Sequence, residues 1–410
     1  MFRTYRNVLS LPGALGFTSA GALARLPISM LGIGVVLLLR STTGSYAVAG
    51  AVAGVFGLTQ AFSSPLIGRA IDRLGQSRVM LPAITVHICG LMMLLLTAEL
   101  HAPRWTIFAA AILAGATMGS IGSLTRARWS SLLAGHDQVV PLLQTAYAVE
   151  SVLDEVDFIA GPLLVTVLAT RVAPALGVIA AALAIGIGGT LLMLQRGSEP
   201  QPSGTAQLAG SGVLRAPGMI VLLLGMTCAG VIFGSVDVVV VAFSDARHTL
   251  GAAGWVLAGF ALGSLLAGLA YGVIRWKAPA GRRYLIADVL LAVGVTPLLL
   301  IHTLPELAAV VFVAGFAISP MLIGGMGVVQ ELVAPARLTE GLTWVSSSIG
   351  IGAAAGSAIA GSAVDALGAQ RAFAVPVLAG AAAALVALIG AHWLRPAVPE
   401  ISPPVSALGD

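Results

Sequence analysis

Four carboxylates within eight positions distinguish one stretch of this chain. The stretch reads ESVLDEVDFIAGP and covers residues 150–162, and its acids are Glu150, Asp154, Glu155 and Asp157. The sequence on both sides of it is apolar. A carboxyl group in an apolar setting costs free energy unless it is paired, protonated or hydrated. This density of acids therefore predicts a site that binds a cation or carries a proton.

Three of the four acids share one side of a helix. Glu150, Asp154 and Asp157 recur at i, i+4 and i+7, which is the spacing of one helical face. Glu155 is turned about 100° away from them. If the helix begins near residue 141, Asp154 lies roughly 20 Å along it, because a helix rises about 1.5 Å per residue. That depth is close to the middle of a membrane.

The composition of the whole chain indicates a protein embedded in lipid. Of its 410 residues, 58% are hydrophobic and only 9% are charged, whereas a soluble domain carries about 25% charged residues. The net charge of +4 comes from basic residues scattered between apolar segments. No basic face builds up, so the composition excludes nucleic acid as a partner. The two cysteines lie alone in apolar runs, which indicates neither a disulfide framework nor a metal site.

Runs of about 20 apolar residues, the length that crosses a bilayer, occur twelve times. We number these predicted spans one to twelve in chain order; they cover residues 14–39, 46–67, 79–98, 105–126, 141–168, 173–194, 218–243, 250–274, 284–302, 306–329, 341–365 and 371–394. A stretch rich in Pro, Ser and Gly separates spans six and seven and is typical of a flexible linker. The predicted domains are an N-terminal bundle at 1–195, the linker at 196–216, a C-terminal bundle at 217–395 and a tail at 396–410.

The distribution of Lys and Arg predicts the orientation of these spans. With twelve spans, fifteen of the 21 basic residues fall on the side that holds both termini, five fall on the other side, and Arg25 lies within span one. Basic residues are enriched in cytoplasmic loops. We therefore expect a multi-pass protein of the plasma membrane with both termini in the cytoplasm.

The loop between spans two and three carries a recognisable pattern. It reads GRAIDRLGQSR, and it resembles the signature loop of the major facilitator superfamily, in which Gly, three residues, Asp, a basic residue, one residue and Gly precede further basic residues. The matching positions are Gly68, Asp72, Arg73, Gly75 and Arg78. In that family the loop latches one conformation and releases in the other, so the resemblance implies a conformational latch at these residues.

Span five adds a second point of resemblance. The fifth span of the family ends its signature in Gly-Pro, and Gly161-Pro162 fits that position. The chain departs from the family at Gln76 and Ser77, where Arg or Lys is more usual. The resemblance implies an all-α membrane protein with the fold of that superfamily. Such a fold has two six-helix bundles related by a pseudo-two-fold axis along the membrane normal, with a substrate site between them.

Arg25 is the expected partner of the acids on span five. It lies about as deep in span one as Glu150 and Asp154 lie in span five. One arginine would leave three of the four acids without a cation, and like charges in a low dielectric favour a neutral carboxyl. The candidate substrate or proton-binding residues are Arg25, Glu150, Asp154, Asp157 and Asp237. An ion-pair network that only holds the bundle together is the alternative.

Two further acids have local interpretations. Asp237 in span seven is either part of a gate or cation site, or a hydrated carboxyl near the membrane surface. Asp288 follows Arg282 and Arg283 closely in the chain, and we expect it to pair with them at the cytoplasmic surface.

The expected function is secondary active transport by alternating access. Proton-coupled efflux of a small amphiphilic or drug-like molecule is the first hypothesis, and proton-coupled uptake or exchange of a small metabolite such as a sugar or organic anion is the alternative. Drug exporters of the family carry an Arg and a Gln inside span four, whereas Arg126 and Arg128 lie at the predicted cytoplasmic end of this span. No catalytic or nucleotide-binding motif occurs, so we expect no enzyme activity. The expected partners are a small-molecule substrate and the lipid bilayer, with a proton as coupling ion, no other cofactor, and a monomeric chain.

Overall fold

The computed structural model describes residues 6, 8–134, 139–202, 216–274, 276–333 and 338–394. Over these ranges the chain forms helices joined by short turns, and they contain no strand. The predicted tail at 396–410 and most of the predicted linker lie outside the described residues.

The first half of the chain forms the helices of spans one to six. Their bounds are Ala14–Thr43 for span one, Tyr46–Leu74 for span two, Gln76–Glu99 for span three, Arg104–Thr117 and Ile121–Leu133 for span four, Val139–Arg171 for span five, and Ala175–Leu194 for span six. Span four breaks between its two helices at Met118, whose backbone is extended. The sequence MGS supplies Gly and Ser there, and these residues favour turns over helix.

The second half forms spans seven to twelve. Their helices are Pro217–Asp245 for span seven, Ala253–Val273 for span eight, Ala280–Val295 for span nine, Leu304–Gly315 and Ile318–Leu332 for span ten, Leu338–Leu367 for span eleven, and Ala374–Ile389 for span twelve, which a short helix at Ala369–Ala372 precedes. Short 3₁₀ helices occupy Arg196–Ser198, Leu250–Ala252 and Thr296–Leu299.

Ten helical segments of the described chain are long and apolar enough to cross a membrane. The two predicted spans that are not among them are five and nine. Span five is 33 residues long but carries the four acids. The helix of span nine has 16 residues, and a 3₁₀ helix at Thr296–Leu299 extends it. Both lie among the apolar helices, since span five packs on span one and span nine packs on span twelve.

Corresponding spans pack in the same way in the two halves. In the first half Gly161 of span five lies against Ser29 and Met30 of span one. In the second half Gly356 of span eleven lies against Val231 of span seven. Small residues allow helices to approach closely within lipid. Span five therefore relates to span one as span eleven relates to span seven, which is the relation that a parallel repeat predicts.

The two bundles meet along spans two and eleven. We call the end of the molecule that holds Arg196–Ser198 the linker end and the end that holds the turn at Gly44 the far end. Toward the far end, Gly50 of span two lies directly against the backbone of Ser357 in span eleven. Gly361 of span eleven in turn lies against the backbone of Tyr46. These backbone contacts join the bundles at the far end.

Candidate functional site

Arg25 is the centre of a buried ion-pair cluster in the N-terminal bundle. Its side chain is almost completely buried, at 3% exposure. Its Nη2 lies 2.8 Å from Oε2 of Glu150, and its Nη1 donates to Oδ1 of Asp154 at 2.8 Å. Its Nε also donates to the carbonyl of Gly21 at 3.3 Å. The structure therefore places Arg25 between the two acids that share its depth.

Arg126 is a second cation of this cluster, which corrects the expectation that only Arg25 serves the acids. Its Nη2 donates to Oδ2 of Asp154 at 2.7 Å. Span four does not end at residue 126 but continues to Leu133, so Arg126 lies inside the bundle rather than at its surface. Two cations therefore face the four acids, and two acids rather than three are left over.

Glu150 is the most enclosed member of the cluster, with 0% of its surface exposed. Oε2 accepts a hydrogen bond of 2.7 Å from the Thr125 hydroxyl, and Oε1 accepts one of 2.8 Å from the indole N–H of Trp129. Both donors come from span four. With Arg25 beside it as well, Glu150 has all the partners that a buried carboxylate needs.

Asp157 is one of the two acids of span five that have no cation partner among the described residues. Its Oδ2 is buried and has no hydrogen-bond partner. The Ser29 hydroxyl of span one donates to its backbone carbonyl at 2.7 Å, not to its carboxyl. The carboxyl is thus available to a ligand or to a proton at the boundary of spans one and five.

Glu155 is the other acid without a cation partner, and it faces the opposite bundle. Its Oε1 accepts a hydrogen bond of 3.3 Å from the Ser319 hydroxyl of span ten. Ser319 in turn lies 2.8 Å from the hydroxyl of Ser264 in span eight. Glu155 therefore connects the acidic stretch of span five to the C-terminal bundle.

Asp237 lies on the opposite bundle and faces span one. Its carboxyl lies against Gly32, one turn beyond Ser29, such that Oδ2 would be 3.6 Å from a Cβ at that glycine. It is half-buried, and no hydrogen bond or ion pair joins it to another described residue. Asp157 and Asp237 thus lie next to adjacent turns of span one, each without a cation.

Asp288 does not pair with its neighbours in sequence, so that expectation is wrong. The carboxyl is 1% exposed, and neither oxygen has a hydrogen-bond partner. Arg283 instead donates to the Tyr271 hydroxyl of span eight at 2.7 Å. Residues five or six positions apart on a helix do not face each other, which explains why the pair does not form.

The loop predicted as a latch has its charged side chains in solvent. Asp72, Arg73 and Arg78 are exposed, and the described residues provide none of them with a hydrogen bond or an ion pair. A Cβ on Gly68 would meet no atom within 4 Å. Gly75 adopts φ of 93°, a conformation that glycine alone adopts readily. The latch remains a prediction for another conformation.

The start of the linker is bound to the same loop. The Glu199 carboxylate accepts hydrogen bonds from the Ser77 N–H at 2.9 Å and from the Ser77 hydroxyl at 2.5 Å. Arg128, which is fully buried, donates to the carbonyl of Gln195 at 2.7 Å and to Gln76 Oε1 at 2.8 Å. Burial alone would raise the pKa of Glu199, but the hydrogen bonds from Ser77 and the charge of Arg128 hold that pKa below its usual range. Gln76 and Ser77, the two departures from the family pattern, therefore bind the linker.

The far end is closed by two acids of the C-terminal bundle. Asp245 of span seven accepts from Arg40 Nε at 3.2 Å and from the Tyr46 hydroxyl at 2.9 Å. Asp365 of span eleven accepts from the Ser45 hydroxyl at 2.6 Å and from the backbone N–H groups of Tyr46 and Ala47 at 3.0 and 2.9 Å. Asp365 thus caps span two from the other bundle. We call these five residues with Ala47 the far-end gate.

The far-end gate and the role of Arg126 were not found from the sequence. The signal for Arg126 was available, because Thr125 and Trp129 lie one turn apart and continue a helical pattern past residue 126. The gate joins residues more than 190 positions apart, such as Tyr46 and Asp245. A single sequence carries no local pattern for such contacts.

Comparison with known proteins identifies the family of this chain. The model of the Major Facilitator Superfamily matches residues 17–246 and again residues 222–408. No curated protein sequence matches the chain closely enough to count as a relative.

Solved transporter structures share the fold. The nucleoside transporter NupG is 15% identical with a TM-score of 0.67, over 93% of this chain and 98% of its own. An auto-inhibited peptide transporter of the POT family is 13% identical with a TM-score of 0.70, over 94% and 97%. The human organic anion transporter MFSD10 is 18% identical with a TM-score of 0.61, over 95% and 99%. At these identities the likeness shows the arrangement of helices alone.

Proposed function

Because the chain belongs to the major facilitator superfamily, we propose that it exports a small cationic amphiphilic molecule in exchange for protons. The chain is a multi-pass membrane transporter rather than an enzyme. Export, proton coupling and the charge of the substrate are the parts that we propose. They are supported by the distribution of charge around span one.

The observation that carries this proposal is that Asp157 and Asp237, which lie beside adjacent turns of span one, have no cation partner among the described residues. Arg25 and Arg126 are already engaged by Glu150 and Asp154. Asp157 keeps a buried oxygen without a partner, and Asp237 faces the neighbouring turn of span one without a cation. An ionised carboxylate within the membrane needs a counter-charge. A protonated amine of the substrate, or a proton, supplies it.

Exchange follows if substrate and proton compete for the same acids. A substrate amine that enters from the linker end pairs with Asp157 in one bundle and Asp237 in the other. When the bundles open at the far end, protons neutralise these acids and the amine leaves. Asp154 bonds to Arg25 of span one and to Arg126 of span four, so the loss of either bond would be linked to a movement of span four.

The orientation of the chain sets the direction of this cycle. We place the linker end in the cytoplasm of a plasma-membrane protein, because fifteen basic residues flank that side against five on the other. The structure, which is joined at the far end by its gate, then corresponds to the state closed to the outside. One chain supplies both bundles, and we propose that the protein works as a monomer.

Uptake or exchange of an organic anion or another small metabolite is the second candidate. Arg126 favours it, since 34% of its side chain is exposed and it could bind an anion if Asp154 released it. The solved relatives named for nucleosides, peptides and organic anions show that the fold serves such substrates. The excess of two acids over cations in the span-five cluster argues against an anion.

Transport by purified protein in proteoliposomes tests the proposal. An acidic lumen should drive accumulation of a fluorescent cationic amphiphile by wild type and by Glu306→Gln, whose residue lies exposed at the far end and caps its own helix. Asp157→Asn and Asp154→Asn should each lower accumulation about tenfold or more, which corresponds to about 1.4 kcal/mol. Accumulation of an organic anion instead would favour the second candidate, and accumulation of the cation without any need for the gradient would exclude proton exchange.

A further inference from the structure

Asp288 is a carboxyl group in the interior of the C-terminal bundle that the transport cycle described above does not use. Its residue is 1% exposed, and both of its oxygens lack a hydrogen-bond partner. Tyr284, one helical turn earlier on span nine, is 0% exposed, and its hydroxyl also lacks a partner. Two adjacent turns of one helix thus present unpartnered polar groups to the same interior region.

Within the part of the chain that the structure describes, no cation lies beside this pair. The Tyr284 hydroxyl reaches Gly225 of span seven, Gly325 of span ten lies near its ring, and Gly324 lies against its backbone. Cys228, one turn beyond Gly225, is the titratable group that span seven presents at this level.

The remaining neighbours leave Asp288 without a counter-charge. Span twelve contributes Gly380, which lies on Ala292 one turn beyond Asp288. Arg283 is turned toward Tyr271 of span eight, whose hydroxyl it contacts at 2.7 Å. Among the described residues, Tyr284 and Cys228 are the titratable groups whose charges interact with this carboxyl.

A single carboxylate and a phenol form a poor site for a metal cation, which needs about six oxygen ligands. Helical backbone carbonyls around them are already engaged. A proton needs only one oxygen to bind, and it removes a charge that would otherwise be buried without a partner. The chemistry of this interior region therefore favours a proton over any larger cation.

We propose that Asp288, with Tyr284 and Cys228, forms a proton-binding site of the C-terminal bundle, separate from the acids of span five. Binding adds one proton to a carboxylate oxygen, and release returns it to water. Asp288 lies eight residues into span nine from Ala280, so its Cα is roughly 12 Å from the linker end of that helix. The proposal goes beyond the proposed function by adding a proton site that binds no substrate, and it rests on that function only for the movement of this additional proton.

Infrared spectroscopy of the purified wild-type protein tests the site without any transport. A protonated carboxyl gives a C=O stretching band that shifts on exchange into heavy water. We expect one component of this band at neutral pH in wild type, in Glu306→Gln and in Asp157→Asn/Asp237→Asn, its loss in Asp288→Asn, and its reversible disappearance in wild type at alkaline pH. If Asp288→Asn loses no component of the band, or if the component that it loses never disappears from wild type at any pH the fold tolerates, the proposal is overturned.

Proton stoichiometry tests the role of the site in transport. Asp288→Asn preserves the shape of the side chain, and Asp288→Glu restores the carboxyl if the amide disturbs folding. We expect the number of protons moved per substrate to fall by one in Asp288→Asn and to recover in Asp288→Glu. An unchanged stoichiometry overturns the proposal even if the infrared band is lost. If wild type moves no protons at all, the proposed function fails, and the alkaline titration of the band still decides the site.

Discussion

Replacing Asp365 with alanine is expected to shift the protein toward a state that is open at the far end. Asp365 of span eleven accepts hydrogen bonds from the Ser45 hydroxyl and from the N–H groups of Tyr46 and Ala47, all at the start of span two. These bonds exist only while the two bundles are in contact. Their loss therefore destabilises the closed state and leaves the stability of the open state unchanged.

The size of this destabilisation follows from the free energy that a helix cap contributes. Loss of a capping acceptor costs about 1 kcal/mol. We take that value rather than a larger one because Asp365 is exposed, so water replaces part of what is lost. Ser45 also keeps its own cap on the Val48 N–H at 3.2 Å. A change of about 1 kcal/mol raises the ratio of open to closed molecules about fivefold.

Distances between spin labels measure this ratio. Ser41 of span one and Arg371 beside span twelve are exposed positions in different bundles near the far end. Cysteines placed there, in a chain whose Cys89 and Cys228 have been replaced by alanine, can carry the labels. The long-distance population should grow about fivefold in Asp365→Ala.

Glu306 provides the matched control for this prediction. It is also an acidic helix cap at the far end, but it accepts from the N–H groups of His302 and Thr303 within its own bundle. Glu306→Ala should leave the distance distribution unchanged. If Asp365→Ala gave the wild-type distribution, or if Glu306→Ala moved it equally, the reasoning that Asp365 closes the far end would be refuted.

Three further variants have expected outcomes in thermal unfolding measured in detergent. Gly161→Ala forces a methyl group onto the Ser29 hydroxyl and should destabilise the fold by about 1–3 kcal/mol. The double variant Gly161→Ala/Ser29→Gly should recover part of this stability. Equal stability of the single and double variants would contradict the contact. Gly75→Ala should destabilise the fold by about 1–3 kcal/mol because residue 75 adopts a φ of 93°. Gly68→Ala, whose methyl group would meet no atom, should leave stability unchanged. A larger loss of stability in Gly68→Ala than in Gly75→Ala would refute the claim that a side chain at residue 75 is strained. Since the pKa of Glu199 is lower in the fold than its ordinary 4.5, its contribution is present above that value and is lost as pH falls through the lowered pKa. Wild type should thus be more stable than Glu199→Gln near neutral pH and equally stable in acid. A stability difference that stayed constant down to low pH would exclude the ionised carboxylate as its source.

The fold could be predicted from the sequence because lipid imposes a simple rule on it. Each crossing must be a long apolar helix, so hydropathy and the loop pattern at Gly68 and Gly75 were sufficient for the family. The same rule produced the main error in the site. Charge was taken to end a span, and Arg126 was placed at the surface, although it points inward to Asp154.

The parts of the site that could not be predicted depend on contacts between distant segments. Glu150, Asp154 and Asp157 were found together because they share a helical face, which is a local property. The cap of span two by Asp365 joins positions about 320 residues apart, and no periodicity reports it. Asp288 was assigned to neighbours in sequence, although the rotation of the helix turns it into the bundle core.

The bond between Trp129 and Glu150 gives the protein an intrinsic optical reporter. The indole N–H donates to Glu150 Oε1 at 2.8 Å, and the ring of Phe17 lies edge-on at 4.8 Å between centroids. Trp129 is fully buried, so solvent does not quench its emission directly, and the nearest charge that its excited state senses is this carboxylate. Variants that retain Trp129 alone among the six tryptophans would therefore report the charge of the buried cluster as a shift in emission wavelength, without any added label.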